Sequence, residues 1–261
     1  MDSSSASSTE HETPVLQPVG LPALLLRLLY VPADNPAYRH QSPLRLWVFL
    51  CLMASPFVWV AWGMFIVHDY RVTIALYALL CCLLPALILA REETGLRFRP
   101  LGMPWRYLCA LSILSTVLLF AFWYHFSPQL ISRLMLEGRL SQIRLTQNQF
   151  WPFAFYMVVV NPFIEELFWR GLVYRELTRV TRPIPALFIS AFFFGLWHWL
   201  IIQYAFPPVY VPFVMAMIIF GGVVLTALYR QTGTLLAPVL MHSLGVDLPL
   251  VIMLYQCLHY R

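Results

Sequence analysis

The chain has 261 residues, of which 60% are hydrophobic and 11% are charged, and its formal net charge is +5. A soluble domain of this size could not bury so much apolar surface, so the composition excludes a water-soluble protein and predicts an all-α, polytopic membrane protein. The positive charge is too diluted by apolar sequence to indicate a nucleic-acid partner, and it favours contact with anionic lipid headgroups.

The N-terminal region lacks a membrane span. Residues 1–20 are polar, Ser-rich and acidic, and they lack the basic region and apolar run of a cleavable signal peptide. This composition predicts a disordered tail. Residues 21–43 begin with an apolar stretch that is too short to cross a bilayer and contains Arg27, so they predict a helix at the membrane interface.

The remaining region, 44–261, predicts a transmembrane bundle. A spanning helix needs about 20 apolar residues, and seven segments meet this requirement. They lie at about 44–67, 72–90, 106–126, 150–169, 184–203, 209–229 and 234–257. Pro249 could divide the last segment into two shorter helices, which would give eight spans.

The distribution of arginine predicts the orientation. All 17 basic residues are arginines, and in this arrangement 12 of them fall on the N-terminal side of the membrane and 5 on the other side. Because basic residues concentrate in cytoplasmic segments, the N terminus is predicted to be cytoplasmic. The compact, arginine-only chain leads us to expect the bacterial inner membrane.

Charged side chains interrupt the predicted fourth span. The stretch NPFIEELFWRGLVY, residues 161–174, contains Glu165, Glu166 and Arg170, and a charge at mid-membrane costs about 2.5–3.5 kcal/mol on insertion scales. Glu166 and Arg170 are four residues apart and predict an ion pair, which could be purely structural. Glu165 lies about 100° from Glu166 around a helix and has no partner three or four residues later, so it needs a distant one.

Two histidines in other spans are candidate partners of Glu165. His198 lies in FFFGLWHWL and His242 lies in GTLLAPVLMHSLGVD. Either histidine alone could be a packed hydrogen-bonding residue. Two imidazoles and an unpaired glutamate on three spans favour an active site with a carboxylate base. Pro162 removes a backbone hydrogen bond upstream, which would let water or a substrate carbonyl reach Glu165.

Three motifs in this region resemble those of the CPBP (CAAX protease and bacteriocin-processing) family of glutamate-type intramembrane proteases. They are E-E-x-x-x-R at Glu165, Glu166 and Arg170; F-x-x-x-H at Phe194 and His198; and G-[ST]-L-x-x-P-x-x-x-H at Gly233, Pro238 and His242. Their order and spacing match the family over about residues 150–250, the expected catalytic core.

The resemblance implies hydrolysis of a peptide bond without a covalent intermediate. Glu165, helped by His198, would hold and deprotonate a water molecule, and His242 with a polar neighbour would stabilise the oxyanion. Arg170 would hold Glu166 and thereby the turn that contains Glu165. Phe194 would form an apolar wall of the same cavity.

The chain departs from the family pattern after the last histidine. The family usually has Asn or Asp four residues later, where this chain has Val246, followed by Asp247. On a regular helix Asp247 would point about 140° away from His242. A bulge at Gly245 could restore Asp247 to the site. Alternatively, the chain does without this group, or uses Ser243 or a backbone donor.

A glutamate and two histidines could also bind zinc. The chain has no H-E-x-x-H motif, and the resemblance is to glutamate-type proteases, so we expect no metal or other cofactor, with zinc as the alternative. The expected partners are membrane lipid and a peptide or protein tail. That tail could be a prenylated CAAX sequence, a bacteriocin or pheromone leader, or a membrane-proximal C terminus.

Two other function classes are compatible with the composition. One is a non-catalytic membrane scaffold or bacteriocin-immunity factor on the same fold, against which the intact set of Glu165, His198 and His242 argues. The other is a transporter with a Glu/His proton relay, for which the sequence contains no inverted repeat. A prenylated substrate is not expected for a bacterial protein, and the sequence leaves the oligomeric state open.

Overall fold

The computed structural model describes residues 43–89, 105–130 and 133–260, and within these ranges all regular structure is helical. The all-α prediction is confirmed for this part of the chain. The predicted polar tail and the predicted interfacial helix before residue 43 lie outside the described residues.

The helices are numbered α1 to α8 within the described ranges. Helix α1 comprises Pro43–Ala61 and the π-helical Trp62–Val67, and α2 comprises Tyr70–Ala75, the π-helical Leu76–Leu83 and Leu84–Leu89. Helices α3 and α4 are Trp105–Leu130 and Arg133–Gln142. The remaining helices are α5 (150–180, with π-helical Tyr156–Val160 and Leu167–Tyr174), α6 (Pro183–Ala205), α7 (Val211–Thr232) and α8 (236–260, with π-helical Ser243–Asp247).

Six of the described helical segments are long and apolar enough to cross a membrane. They are Trp47–Val67, Tyr70–Leu89, Arg106–His125, Pro183–Ala205, Pro208–Thr232 and Leu236–His259. The predicted span at 150–169 is not among them, because the charged residues of α5 lower its hydropathy. The predicted count of seven is therefore not confirmed. Pro249 lies inside α8 without dividing it.

The outer surface of the bundle is apolar. Large hydrophobic side chains on α1, α3 and α7 are more than half exposed, including Val58, Ile66, Ile113 and Phe220. Such a surface would be unfavourable in water and is suited to contact with lipid chains. The long apolar helices and this surface are those of an integral membrane protein.

Two prolines inside helices leave carbonyl groups that other helices satisfy. Pro162 has no N–H to donate to the carbonyl of Val158, four residues earlier, and the hydroxyl of Ser243 in α8 donates to that carbonyl at 2.6 Å. This bond joins the proline-containing turn of α5 to the residue that follows His242. The Ser243 hydroxyl, which the sequence offered as a substitute for the family Asn or Asp, thus donates to a backbone carbonyl.

Pro249 has the same effect on α8. The carbonyl of Gly245, four residues before Pro249, accepts a hydrogen bond from Ser115 in α3 at 2.7 Å. Because a lipid environment offers no water to satisfy such a group, the Ser115 hydroxyl stabilises the deformed turn. The turn that contains Gly245 is the π-helical segment of α8.

Close helix packing depends on small residues. A Cβ atom on Gly63 in α1 would lie 2.7 Å from Cα of Thr73 in α2, and one on Gly222 in α7 would lie 3.2 Å from Cα of Ala191 in α6. These distances leave no room for a side chain unless a backbone moves. Glycine therefore sets the spacing of these helix pairs, as is common in membrane bundles.

We predict that Gly63→Ala destabilises the protein by about 1–3 kcal/mol, because the added methyl group overlaps the backbone of α2. Thermal unfolding of the purified protein in detergent measures the change. Gly221→Ala is the matched control, because a Cβ atom there has no neighbour within 4 Å and alanine favours the helix. Equal unfolding midpoints for the two variants would contradict this packing.

Candidate active site

Helix α5 places three charged side chains inside the bundle. Glu165, Glu166 and Arg170 are each at most 1% exposed. Burial of an ionised group away from water is costly unless it is paired and hydrogen-bonded. The partners of these three side chains therefore determine which helices can pack against α5.

Arg170 binds Glu166 and joins α5 to α7. Its Nη1 donates to Oε1 of Glu166 at 2.8 Å, so the predicted ion pair is present. Its Nε donates to the Thr226 hydroxyl at 3.2 Å, and its Nη2 donates to the carbonyl of Gly222 at 3.1 Å. The Phe194 ring lies under the guanidinium, with Cζ 4.7 Å from the ring centroid. Each of the three guanidinium nitrogens thus has its own hydrogen-bond partner.

His242 lies between carboxyl groups. Its Nδ1 is 2.9 Å from Oε1 of Glu166, and because an ionised carboxylate can only accept, Nδ1 carries the proton. Its Nε2 lies 3.8 Å from Oε2 of Glu165 and 3.6 Å from Oδ1 of Asp247. These two distances exceed a direct hydrogen bond, so Nε2 faces two carboxyl groups without being bound to either.

Asp247 reaches His242 through a π-helical turn. The segment Ser243–Asp247 adds one residue to the turn, which moves the carboxyl group from the far side of the helix to the His242 side. A Cβ atom on Gly245 would lie 3.3 Å from Cα of Ser112, so a glycine suits this crowded position. The helix thus contains the bulge proposed from the sequence. The side chain of Asn161 is a hydrogen-bond partner of Asp247.

Glu165 has a partner that the sequence did not indicate. The hydroxyl of Tyr77 in α2 donates to Oε1 of Glu165 at 2.8 Å, and Nε1 of Trp169 donates to the Tyr77 oxygen at 3.4 Å. Oε2 of Glu165 is buried and has no hydrogen-bond partner among the described residues. The signal available in the sequence was a tyrosine inside an apolar span, because a buried phenol usually requires a hydrogen-bond partner.

His198 lies beside this cluster rather than in contact with it. Its Nδ1 is 2.7 Å from the carbonyl of Phe194, which can only accept, so Nδ1 carries the proton and Nε2 is free to accept. Within the described ranges, no hydrogen bond or ion pair joins His198 to Glu165 or His242. The Phe194 ring lies near both imidazoles, with centroid distances of 4.9 Å to His198 and 6.1 Å to His242.

The structure thus brings six of the seven candidate residues into one contact network, namely Glu165, Glu166, Arg170, Phe194, His242 and Asp247. His198 contacts this network through Phe194. Across residues 43–89, 105–130 and 133–260, no group of three or more His, Cys, Asp or Glu side chains has a metal-binding arrangement. Whether the protein needs a cofactor stays a prediction from the sequence.

Glu165, Glu166, His242 and Asp247 thus form a buried cluster of carboxyl groups around one imidazole, inside a bundle of apolar helices. The family model described as Type II CAAX prenyl endopeptidase Rce1-like matches residues 146–245, which include Glu165, His198 and His242. This match covers 100 of the 261 residues and agrees with the resemblance of the three sequence motifs to the CAAX protease (CPBP) family. Searches of curated proteins and of solved structures give no match.

We predict that Arg170→Ala lowers the free energy of unfolding by about 3–5 kcal/mol, because it leaves the Glu166 carboxylate buried without its cation. Arg170→Lys should also be destabilising, since a single ammonium cannot replace the three directional contacts of the guanidinium. Folding yield and chemical unfolding in detergent measure both effects.

Arg71→Ala is the control for this prediction. Arg71 also pairs with a carboxylate at 2.8 Å, that of Asp69, which is 6% exposed, but the Arg71 side chain is 58% exposed. Asp69 also lies 3.7 Å from a second cation, Arg144, so the loss of Arg71 does not leave this carboxylate without a cation. If Arg170→Ala folded and unfolded like Arg71→Ala, the buried pair would have no structural importance.

Proposed function

We propose that the protein is an intramembrane endopeptidase that hydrolyses a peptide bond near the membrane with a water molecule activated by Glu165. The observation that supports this proposal best is the asymmetric environment of the Glu165 carboxylate. Tyr77 holds Oε1, whereas Oε2 is unpaired and 3.8 Å from Nε2 of His242. A carboxylate base with one free oxygen is suited to proton transfer when an imidazole, which can also carry a proton, lies beside that oxygen.

The reaction would proceed in two steps. In the first, Oε2 of Glu165 takes a proton from water as the water oxygen bonds to the scissile carbonyl carbon, which produces a tetrahedral oxyanion. In the second, the carbonyl re-forms, the C–N bond breaks, and Glu165 returns its proton to the departing nitrogen. Water is consumed, a carboxyl group and an amine are released, and no covalent enzyme intermediate forms.

His242 would stabilise the oxyanion through Nε2. Because Nδ1 already donates to Glu166, the imidazole can donate from both nitrogens only in its protonated form. Glu166 on one side and Asp247 on the other provide charges that would balance the imidazolium. The free Nε2 of His198 would accept a hydrogen bond from the attacking water, which is the role that the family resemblance implies for it.

The membrane arrangement is part of the proposal. Helix α5 would be the seventh span, with its charges satisfied inside the bundle instead of exposed to lipid, and the catalytic core would occupy residues 150–250. The N terminus would be cytoplasmic, and the protein would lie in a bacterial inner membrane. The substrate would be a peptide or protein tail held at the membrane, with no nucleic-acid partner and no cofactor.

A second candidate function is a non-catalytic scaffold or bacteriocin-immunity factor. The observation that favours it is the burial of the cluster, because Glu165 is 1% and His242 is 4% exposed. A fully enclosed polar network can also specify how helices pack. Measurement of peptide cleavage separates the two functions.

We predict that Glu165→Gln reduces the cleavage rate by at least about 10²-fold, because the amide has nearly the same shape but cannot take the proton. Purified protein in liposomes is incubated with membrane-anchored peptides, one with a prenylated CAAX end and one with an unprenylated lipid anchor. Mass spectrometry identifies the cleaved bond. Glu137→Gln in α4 makes the same chemical change away from the site and should retain the parent rate.

The same assay tests the second function and the cofactor. A parent protein that cleaves neither peptide, or a Glu165→Gln variant as fast as the parent, would count against the proposed mechanism. Cleavage should persist after treatment with EDTA. Activity that EDTA removes and zinc restores would establish the metal-dependent alternative.

We predict that Asp247→Ala lowers the cleavage rate by about 10²–10³-fold, the usual effect of losing one group that stabilises an oxyanion. Asp247→Asn keeps a hydrogen-bonding group near Nε2 of His242 and should retain part of the activity. Initial rates at saturating peptide measure both variants. If Asp247→Ala cleaves as fast as the parent, Asp247 has no part in the reaction, and His242 must act with backbone groups or water.

A further inference from the structure

We propose that Tyr77 is a positioning residue for Glu165. This inference rests on the proposed function and adds a residue from α2, which lies outside the segment 146–245 that matches the family model. Tyr77 is 4% exposed, and its hydroxyl lies at the centre of a hydrogen-bonded chain that ends on Oε1 of Glu165.

The direction of this hydrogen-bonded chain is fixed. The indole N–H of Trp169 can only donate, so the Tyr77 oxygen accepts from it at 3.4 Å. The single phenolic proton is then free to point at Oε1 of Glu165, 2.8 Å away. Two hydrogen bonds in series inside a low-dielectric interior polarise each other in the same direction.

The bond to Tyr77 selects which oxygen of Glu165 is available for chemistry. A glutamate side chain has several rotatable bonds and loses rotational freedom when its carboxylate is held in one place. With Oε1 bound, Oε2 is left without a partner among the described residues, on the side where Nε2 of His242 lies at 3.8 Å. Holding a base in one orientation before the reaction is a recognised source of rate enhancement.

The Tyr77 ring also supports the other side of the site. It packs on the Trp197 ring at 4.3 Å, and Trp197 packs on the His198 ring at 3.8 Å, both at an interplanar angle of 34°. The hydroxyl of Tyr77 therefore acts on Glu165, whereas its ring acts on the aromatic stack beside His198. Removal of the hydroxyl alone separates these two contributions.

The decisive variant is Tyr77→Phe, which keeps the ring and removes the hydrogen bond. We expect kcat to fall by about tenfold to a hundredfold, as for the loss of a hydrogen bond to a charged group, with KM and the thermal midpoint unchanged. Replacement of the Tyr77 side chain by 3-fluorotyrosine keeps the shape and the donor and should retain kcat near the parent value. Tyr204→Phe is the matched control, because its hydroxyl binds the carbonyl of Arg139 at 2.8 Å, away from Glu165.

The parent and the Glu165→Gln variant are assayed beside these proteins. If the parent cleaves the peptides, Glu165→Gln does not, and Tyr77→Phe matches the parent, the positioning role is wrong while the proposed function stands. A Tyr77→Phe protein that loses folding yield in proportion to activity would assign the hydroxyl to stability and overturn the inference. If the parent cleaves no peptide, the proposed function fails, and the role of Tyr77 fails with it.

Discussion

The arrangement of the bundle depends on a single buried carboxylate. Oε1 of Glu166 receives hydrogen bonds from Arg170 on the same helix and from His242 on α8, and the residue is fully buried. A carboxylate in this position would be strongly unfavourable without both charges and donors around it. Arg170 in turn needs the oxygens of Thr226 and Gly222, so one requirement for pairing fixes α5, α7 and α8 relative to each other.

Unpaired backbone carbonyl groups also need partners inside the bundle. A membrane protein has no water with which to satisfy a carbonyl group that proline has left unpaired. The hydroxyls of Ser243 and Ser115 supply the missing donors for Val158 and Gly245. The first bond joins α8 to α5, and the second joins α3 to α8. Both acceptor carbonyls lie in π-helical segments. Deformation of these helices is thus stabilised by named contacts, and it directs Asp247 towards His242.

These constraints leave the polar side chains of the cluster unequally satisfied. Arg170 has a partner at each of its three guanidinium nitrogens, and together with Oε1 of Glu166 it holds the helices together. Oε2 of Glu166 is buried and has no hydrogen-bond partner among the described residues. Oε2 of Glu165 and Oδ2 of Asp247 are likewise buried and without a hydrogen-bond partner among the described residues. Nε2 of His242 lies 3.8 Å from Oε2 of Glu165 and 3.6 Å from Oδ1 of Asp247. Arg170 thus fixes the helices around a small set of buried carboxyl oxygens that are not hydrogen-bonded within the described part of the chain.

The sequence by itself determined the membrane class, the helical fold, the Glu166–Arg170 pair and the family resemblance, because composition and the spacing of residues on one helix are local properties. It did not determine that Tyr77 binds Glu165 or that Thr226 binds Arg170, because those contacts join separate helices and depend on how the helices pack. The span count was uncertain for a related reason: the charges of α5 lower its hydropathy, and only their partners on other helices make their burial possible. The position of Asp247 was likewise decided by tertiary structure, since the π-helical turn that carries it to His242 is stabilised by a hydroxyl from α3.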